Sequence, residues 1–358
     1  MTTNPYHLLG DKAFWKRSVA RVSPLDVDPV VDFPTLIQKD TKVATAGSCF
    51  AQHIARRLSK SGFNYYVLEK GHEVLSAEGN RQFNYGTFSA RYGNLYTTRQ
   101  LLQLFQRAFG IFTPNEPAWV AKDGNIRDPF RPNIQPGGFD SEASMELDRR
   151  SHLRAVRELF STTDVFVFTL GLTECWRSRY DGAVFPICPG VEGGEFDEDS
   201  YEFYNQTVED VMSDLRMFIS LLREVNPTVK LVFTVSPVPL MATARDDTHV
   251  LSATVYSKSV LRVAAESIVS ETKDAFYFPS FEIITGNFNR GAYYDNDLRS
   301  VLEAGVDHVM KLFFKYATNS DTVKTDLSTE RPMVNEVRQN GSQSIADIEC
   351  DEELLDKD

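Results

Sequence analysis

Along the chain, short apolar runs alternate with stretches in which apolar residues return every three or four positions. Residues 42–46 (Lys42-Val43-Ala44-Thr45-Ala46) read as a buried strand ended by Gly47. Over residues 49–61, Phe50, Ile54 and Leu58 recur at i, i+4 and i+8, the stripe of an amphipathic helix. Residues 64–68 read as the next strand. Residues 97–109 put Leu101, Leu102, Phe105 and Phe109 on one helical face, with Thr97 or Thr98 as N-cap. Helices are predicted over 147–160, 201–226 (stopped by Pro227), 256–270 and 301–314, and strands over 164–170, 229–235 and 275–278.

Strands alternating with helices, several apolar on both faces, predict a parallel sheet covered on two sides. The fold class is therefore α/β, a three-layer α/β/α sandwich with a mostly parallel sheet and loop insertions. Two Pro- and Gly-rich insertions, near residues 110–144 and 177–199, interrupt it. The first exceeds the ~15 residues common for a connection, which suggests a functional or lid-like role. Residues 1–40, with Trp15 and Phe33, are expected to form an arm packed on a domain of residues 41–318. Residues 319–358 end in a strongly acidic run, expected to be disordered and suited to a protein partner.

Composition narrows the function classes. A hydrophobic fraction of 42% and an aromatic fraction of 12% are those of a globular core. No apolar run approaches the ~20 residues that span a bilayer, and residues 1–7 lack a signal-peptide pattern, so a cytoplasmic location is expected. Cys49, Cys175, Cys188 and Cys350 are scattered and are expected to be free thiols. A formal charge of −12 argues against a nucleic-acid partner. Asp246, Asp247, Asp295 and Asp297 show no metal-ligand spacing, so neither metal nor cofactor is expected.

In open parallel sheets, ligands bind beyond the carboxyl ends of the strands. The first strand delivers Gly47-Ser48-Cys49 and then a helix. There Ser48 has two readings. It is a nucleophile beside backbone donors, or an N-cap of the helix. Cys49 is an alternative nucleophile, although a cysteine beside an apolar helix start more often packs than reacts.

Gly47-Ser48-Cys49-Phe50-Ala51 resembles the signature of the GSCFA family. Further blocks resemble it in order: Tyr92-Gly93-Asn94-Leu95-Tyr96-Thr97, Leu170-Gly171-Leu172-Thr173-Glu174, Ser236-Pro237-Val238-Pro239, Tyr256-Ser257-Lys258-Ser259 and Tyr277-Phe278-Pro279-Ser280-Phe281-Glu282. The family is in turn similar to the SGNH/GDSL hydrolases. That resemblance implies a flavodoxin-like sheet, Ser48 as nucleophile, and oxyanion donors from Gly93 (or Gly86), Asn94 and the Gly171/Thr173 block, where Thr173 replaces an asparagine.

The superfamily's last block is Asp-x-x-His, but the chain reads Asp297-Leu298-Arg299-Ser300. Ser300 stands where the base is expected, and a serine without a base in reach is a poor nucleophile. His249, following a strand end, is the replacement of choice, oriented by Glu174 or Asp297. Behind it stand Glu174 itself as base, His308, about 12 Å along a helix from Ser300, and His53, while Lys258 and Arg262 share one helix face that could hold an anionic substrate group or be solvated. The implied activity is that of a serine-type esterase or O-acyltransferase on a small-molecule or carbohydrate ester. The alternative is an inactive binding or assembly protein.

Overall fold

The computed structural model describes residues 4–319 and 354–355. They divide into two compact units, one of residues 37–277 with 354–355 and one formed by residues 4–36 with 278–319.

In the larger unit the elements are β1 (Val43–Gly47), α1 (Phe50–Lys60), α2 (Ala77–Gln82), α3 (Thr98–Ala108), β2 (Trp119–Val120), β3 (Ile126–Arg127), α4 (Glu142–Thr162) and β4 (Val165–Leu170). There follow β5 (Glu174–Ser178), β6 (Val184–Phe185), β7 (Tyr201–Asn205), α5 (Val208–Val225), β8 (Lys230–Val235), α6 (Val250–Glu271) and β9 (Ala275–Tyr277). A parallel sheet runs in the order β1-β4-β8-β9, flanked by helices in an α/β/α arrangement. Its strands are apolar on both faces because both are covered.

One layer is fixed by aromatic packing. Phe166 of β4 meets Phe160 of α4 and Phe218 of α5 at 5.5 and 6.0 Å, and Phe105 of α3 meets both helices' rings. Each of these fully buried rings contributes roughly 1.5–3 kcal/mol by area. Helix α1 packs on β1 and β4. The chain leaves β1 toward Tyr65, on one side, and leaves β4 toward β8, on the other. Right-handed crossovers in opposite directions place α1 and α5 on opposite faces. They also make the carboxyl ends of β1 and β4 the switch point where open sheets bind ligands.

Several expected elements differ. Residues 64–68 form an isolated parallel bridge, Tyr65 with Val43, and no full strand. The Ser89 hydroxyl accepts the Thr45 N–H at 3.0 Å, taking the next ladder position. The single helix expected over 201–226 is a strand and a helix. Its aromatic first residues pair with β5, and a Thr207/Asp210 capping box starts α5. The 177–199 insertion sits within an antiparallel sheet, β6-β5-β7, that the Gly and Pro residues had masked. Helix α6 begins at Val250, six residues earlier than predicted.

The smaller unit holds α7 (Ser280–Thr285) and α8 (Glu303–Ala317) with short helical turns of the N-terminal arm. Phe278 packs edge-on against Phe33 and Phe313, with centroids 5.5 and 5.1 Å apart. The arm is tied to α8 by Leu36 N–H to Ala317 O, Lys315 Nζ to Asp28 and His308 Nε2 to Val27 O. Of the acidic tail expected over 319–358, all but residues 319, 354 and 355 lie outside the described residues. No described helix is long and apolar enough to cross a membrane.

Candidate active site

Gly47 has φ +136°, and a Cβ there would lie 2.3 Å from the Thr169 carbonyl oxygen, so only glycine lets β1 and β4 approach so closely. The Ser48 N–H donates to the same oxygen at 3.2 Å. The chain then turns into α1, whose N-cap position is Cys49, with no side-chain capping bond. Ser48 is 3% exposed and its Oγ has no hydrogen-bond partner. It does not cap the helix, because a capping oxygen accepts a bond from the second or third helical N–H. A buried hydroxyl left in that state costs about 1–3 kcal/mol, a state Ser48 shares with Thr169, Thr234 and Ser280.

Two segments close on it. After β4, Gly171 sits so near that its Cβ would be 3.1 Å from Ser48 Cβ and 2.9 Å from Tyr96 O. Gly171 N–H donates to Tyr96 O at 3.0 Å, and its carbonyl accepts from the buried Lys258 Nζ at 2.5 Å. The second segment runs through residues 92–96. Leu95 N–H donates to Gly47 O at 2.8 Å, and Gln52 Nε2, one helical turn beyond Ser48, donates to Asn94 Oδ1 at 3.1 Å. Gly93 (φ +70°) has an N–H that no described residue engages. Tyr92, Gly93 and Asn94, with Phe130, Arg131 and Asn133, line a cavity of about 20 Å³, room for one water.

The sequence had named Ser48, Gly93, Asn94, Gly171 and Lys258, and these fall within this neighbourhood. It missed Gln52, although its i+4 spacing from Ser48 was a usable signal. It also missed Tyr96, which acts through its backbone and leaves no signal.

Other named residues are committed elsewhere. The Thr173 hydroxyl donates to Asn205 Oδ1 at 2.6 Å, and its N–H goes to Ser257 Oγ. His249 is exposed; it caps α6, its Nδ1 accepting from Leu251 N–H at 3.1 Å, and it makes no bond to Ser48. Glu174 receives the Thr243 hydroxyl at 2.7 Å and the Ala244 N–H at 3.4 Å, so it anchors the segment between β8 and His249. Burial raises its carboxyl above the usual range despite those bonds. Buried Cys49 occupies the turn beside Ser48. Gly86 donates its N–H to Glu69 O in a separate turn. Arg262 pairs with Glu266 and lies over Tyr277.

His53, buried on α1, is pushed down to about 3 by desolvation and by Arg56 and Arg57, so it stays neutral. In the smaller unit, Asp297 Oδ2 accepts the Ser300 hydroxyl at 2.5 Å and Oδ1 accepts the N–H groups of Arg299 and Ser300. Burial raises this carboxyl, but the three bonds outweigh it and leave the group below its ordinary value. His308 is held between Tyr293 and Val27 O, and burial lowers its basicity. Both are closed local structures. Among the described residues no group of His, Cys, Asp and Glu side chains is arranged to hold a metal.

A serine at the switch point of a parallel α/β sheet, with its hydroxyl unbonded and glycines on the flanking segments, defines a class of α/β proteins built around a strand-to-helix turn. The sequence pattern of the GSCFA family matches residues 42–313, about three quarters of the chain, and the protein belongs to that family. No curated protein matches it.

Proposed function

We propose that the protein is a serine-type esterase or O-acyltransferase that works through an acyl-Ser48 intermediate. The observation that carries this reading is the buried, unpartnered Ser48 hydroxyl at the switch point. The resemblance of its sequence blocks to those of SGNH/GDSL hydrolases supports the same chemistry by analogy, a weaker support than the site itself. Ser48 Oγ attacks the acyl carbonyl of an ester, the alkoxy group leaves with a proton, and the acyl group passes to water or to an acceptor hydroxyl such as that of a carbohydrate. Gly93 N–H and the Asn94 amide, turned by Gln52, supply oxyanion donors. His249 takes the Ser48 proton when its exposed segment, anchored by Glu174, swings over the turn.

A second reading, a binding protein without turnover, is favoured by one observation: no described histidine or carboxylate is hydrogen-bonded to Ser48. A fluorophosphonate probe followed by intact mass separates the two. One adduct on the wild type, absent from Ser48→Ala and reduced in His249→Ala, is the result expected of the enzyme. A folded wild type that takes no adduct supports the binding protein.

A further inference from the structure

Beside the 92–96 segment lies a partly buried set of charges that does not balance. Arg91 pairs with Asp148, and Arg131 pairs with Asp148 and Asp128, all at 2.7–2.9 Å. Arg149 Nη2 reaches Asp128 Oδ1 at 2.8 Å, while Arg149 Nε is buried without a partner. Asp128 is 0% exposed, and its two oxygens are taken by Arg131, Arg149 and the Phe130 N–H. Glu69 is the third carboxylate, engaged by His152 and the Arg91 N–H.

The fourth guanidinium is Arg107. It lies 3.8 Å from the Phe130 ring centroid and is given no hydrogen bond or ion pair by any described residue. Burial, with Arg149 and Arg131 nearby, pushes it down to about 9, against the pull of Asp128. Three guanidiniums thus share the carboxylates Asp128 and Asp148 beside Glu69, and Arg107 stands next to them unpaired, in a chain that carries a net charge of −12. A guanidinium stacked on an aromatic face keeps its in-plane donors for a planar fork, the geometry that clamps phosphoryl and carboxylate oxygens.

We propose that the Arg107 fork, held over Phe130 beside Arg149, forms a binding site for a phosphoryl group, free or as a monoester, which offsets the unbalanced charge. Phe130 orients Arg107, and Asp128 fixes Arg149. The site is separate from the Ser48 turn and stands or falls without it. Its affinity is modest, because one unpaired guanidinium supplies most of the attraction.

The test is titration calorimetry and thermal unfolding of the full chain with inorganic phosphate and with glycerol phosphate, against potassium chloride at matched ionic strength. Binding at concentrations up to about 10 mM and a raised unfolding temperature are expected, with chloride without effect. Arg107→Met keeps the stem over Phe130 and should weaken binding about tenfold or more, with the ligand-free protein no less stable. Arg107→Lys should fall between the two. Tighter binding of glycerol phosphate than of phosphate assigns the site to a monoester; the reverse assigns it to the free ion. Equal stabilisation by chloride, or unchanged affinity in Arg107→Met, overturns the proposal.

Discussion

Two buried polar regions of the larger unit are built on opposite rules. Around Asp128, Asp148 and Glu69, each carboxylate is bonded by several partners, and the links join residues 69, 91, 128, 131, 148 and 152 into one frame, with only Arg107, Arg149 Nε and His152 Nε2 left over among the described residues. At Ser48 the backbone is fully engaged while the side chain is left with nothing. The first region holds loops that have little regular structure of their own. The second is held by its surroundings and presents one unspent hydroxyl. A polar network that links distant loops is therefore read as structure, and the unbonded serine hydroxyl at the strand-to-helix turn as a candidate for chemistry.

Substitutions test that contrast, beginning with the largest effect. Asp128→Ala leaves Arg131 and Arg149 buried without their shared anion, so chemical unfolding should show a loss of about 3–5 kcal/mol. Wild-type stability in that variant would dissolve the contrast. Gly47→Ala drives a Cβ into the Thr169 backbone at a positive φ and should cost about 2–4 kcal/mol in the same assay.

The next prediction uses pH. His53 sits near 3 when folded against 6.5 unfolded, so between those values the unfolded chain binds the extra proton. Its contribution is fully present above about pH 6.5 and is lost as pH falls toward about 3. A pH series of unfolding should slope downward on the acid side for the wild type and be flatter for His53→Gln. The smallest effect is expected at Ser48→Ala: removing an unpartnered hydroxyl should leave stability within about 1 kcal/mol of the wild type, or raise it. A loss of several kcal/mol there would make Ser48 a structural residue and sink the reading of it as a nucleophile.

The strand-and-helix alternation, the Gly47-Ser48 turn and the family blocks are all legible in the sequence, because periodicity and local turn chemistry are properties of neighbours in sequence. That reading failed where distant segments decide. Residues 64–68 have strand-like composition, yet the Ser89 hydroxyl, more than twenty positions on, takes the ladder position they would need. Residues 201–205 lie in a run with helical periodicity, yet pairing with β5 draws them into a sheet.

The sequence by itself determined the fold class, the turn that seats Ser48 and the glycines that permit it. Only the tertiary structure decided which side chains are spent. It showed that Thr173 is bound to Asn205, that Gln52 orients Asn94, and that Arg107 is left over from a network of seven charges. The physical reason is that a polar group's availability depends on what folding has already bonded to it, and those partners come from segments tens of residues away.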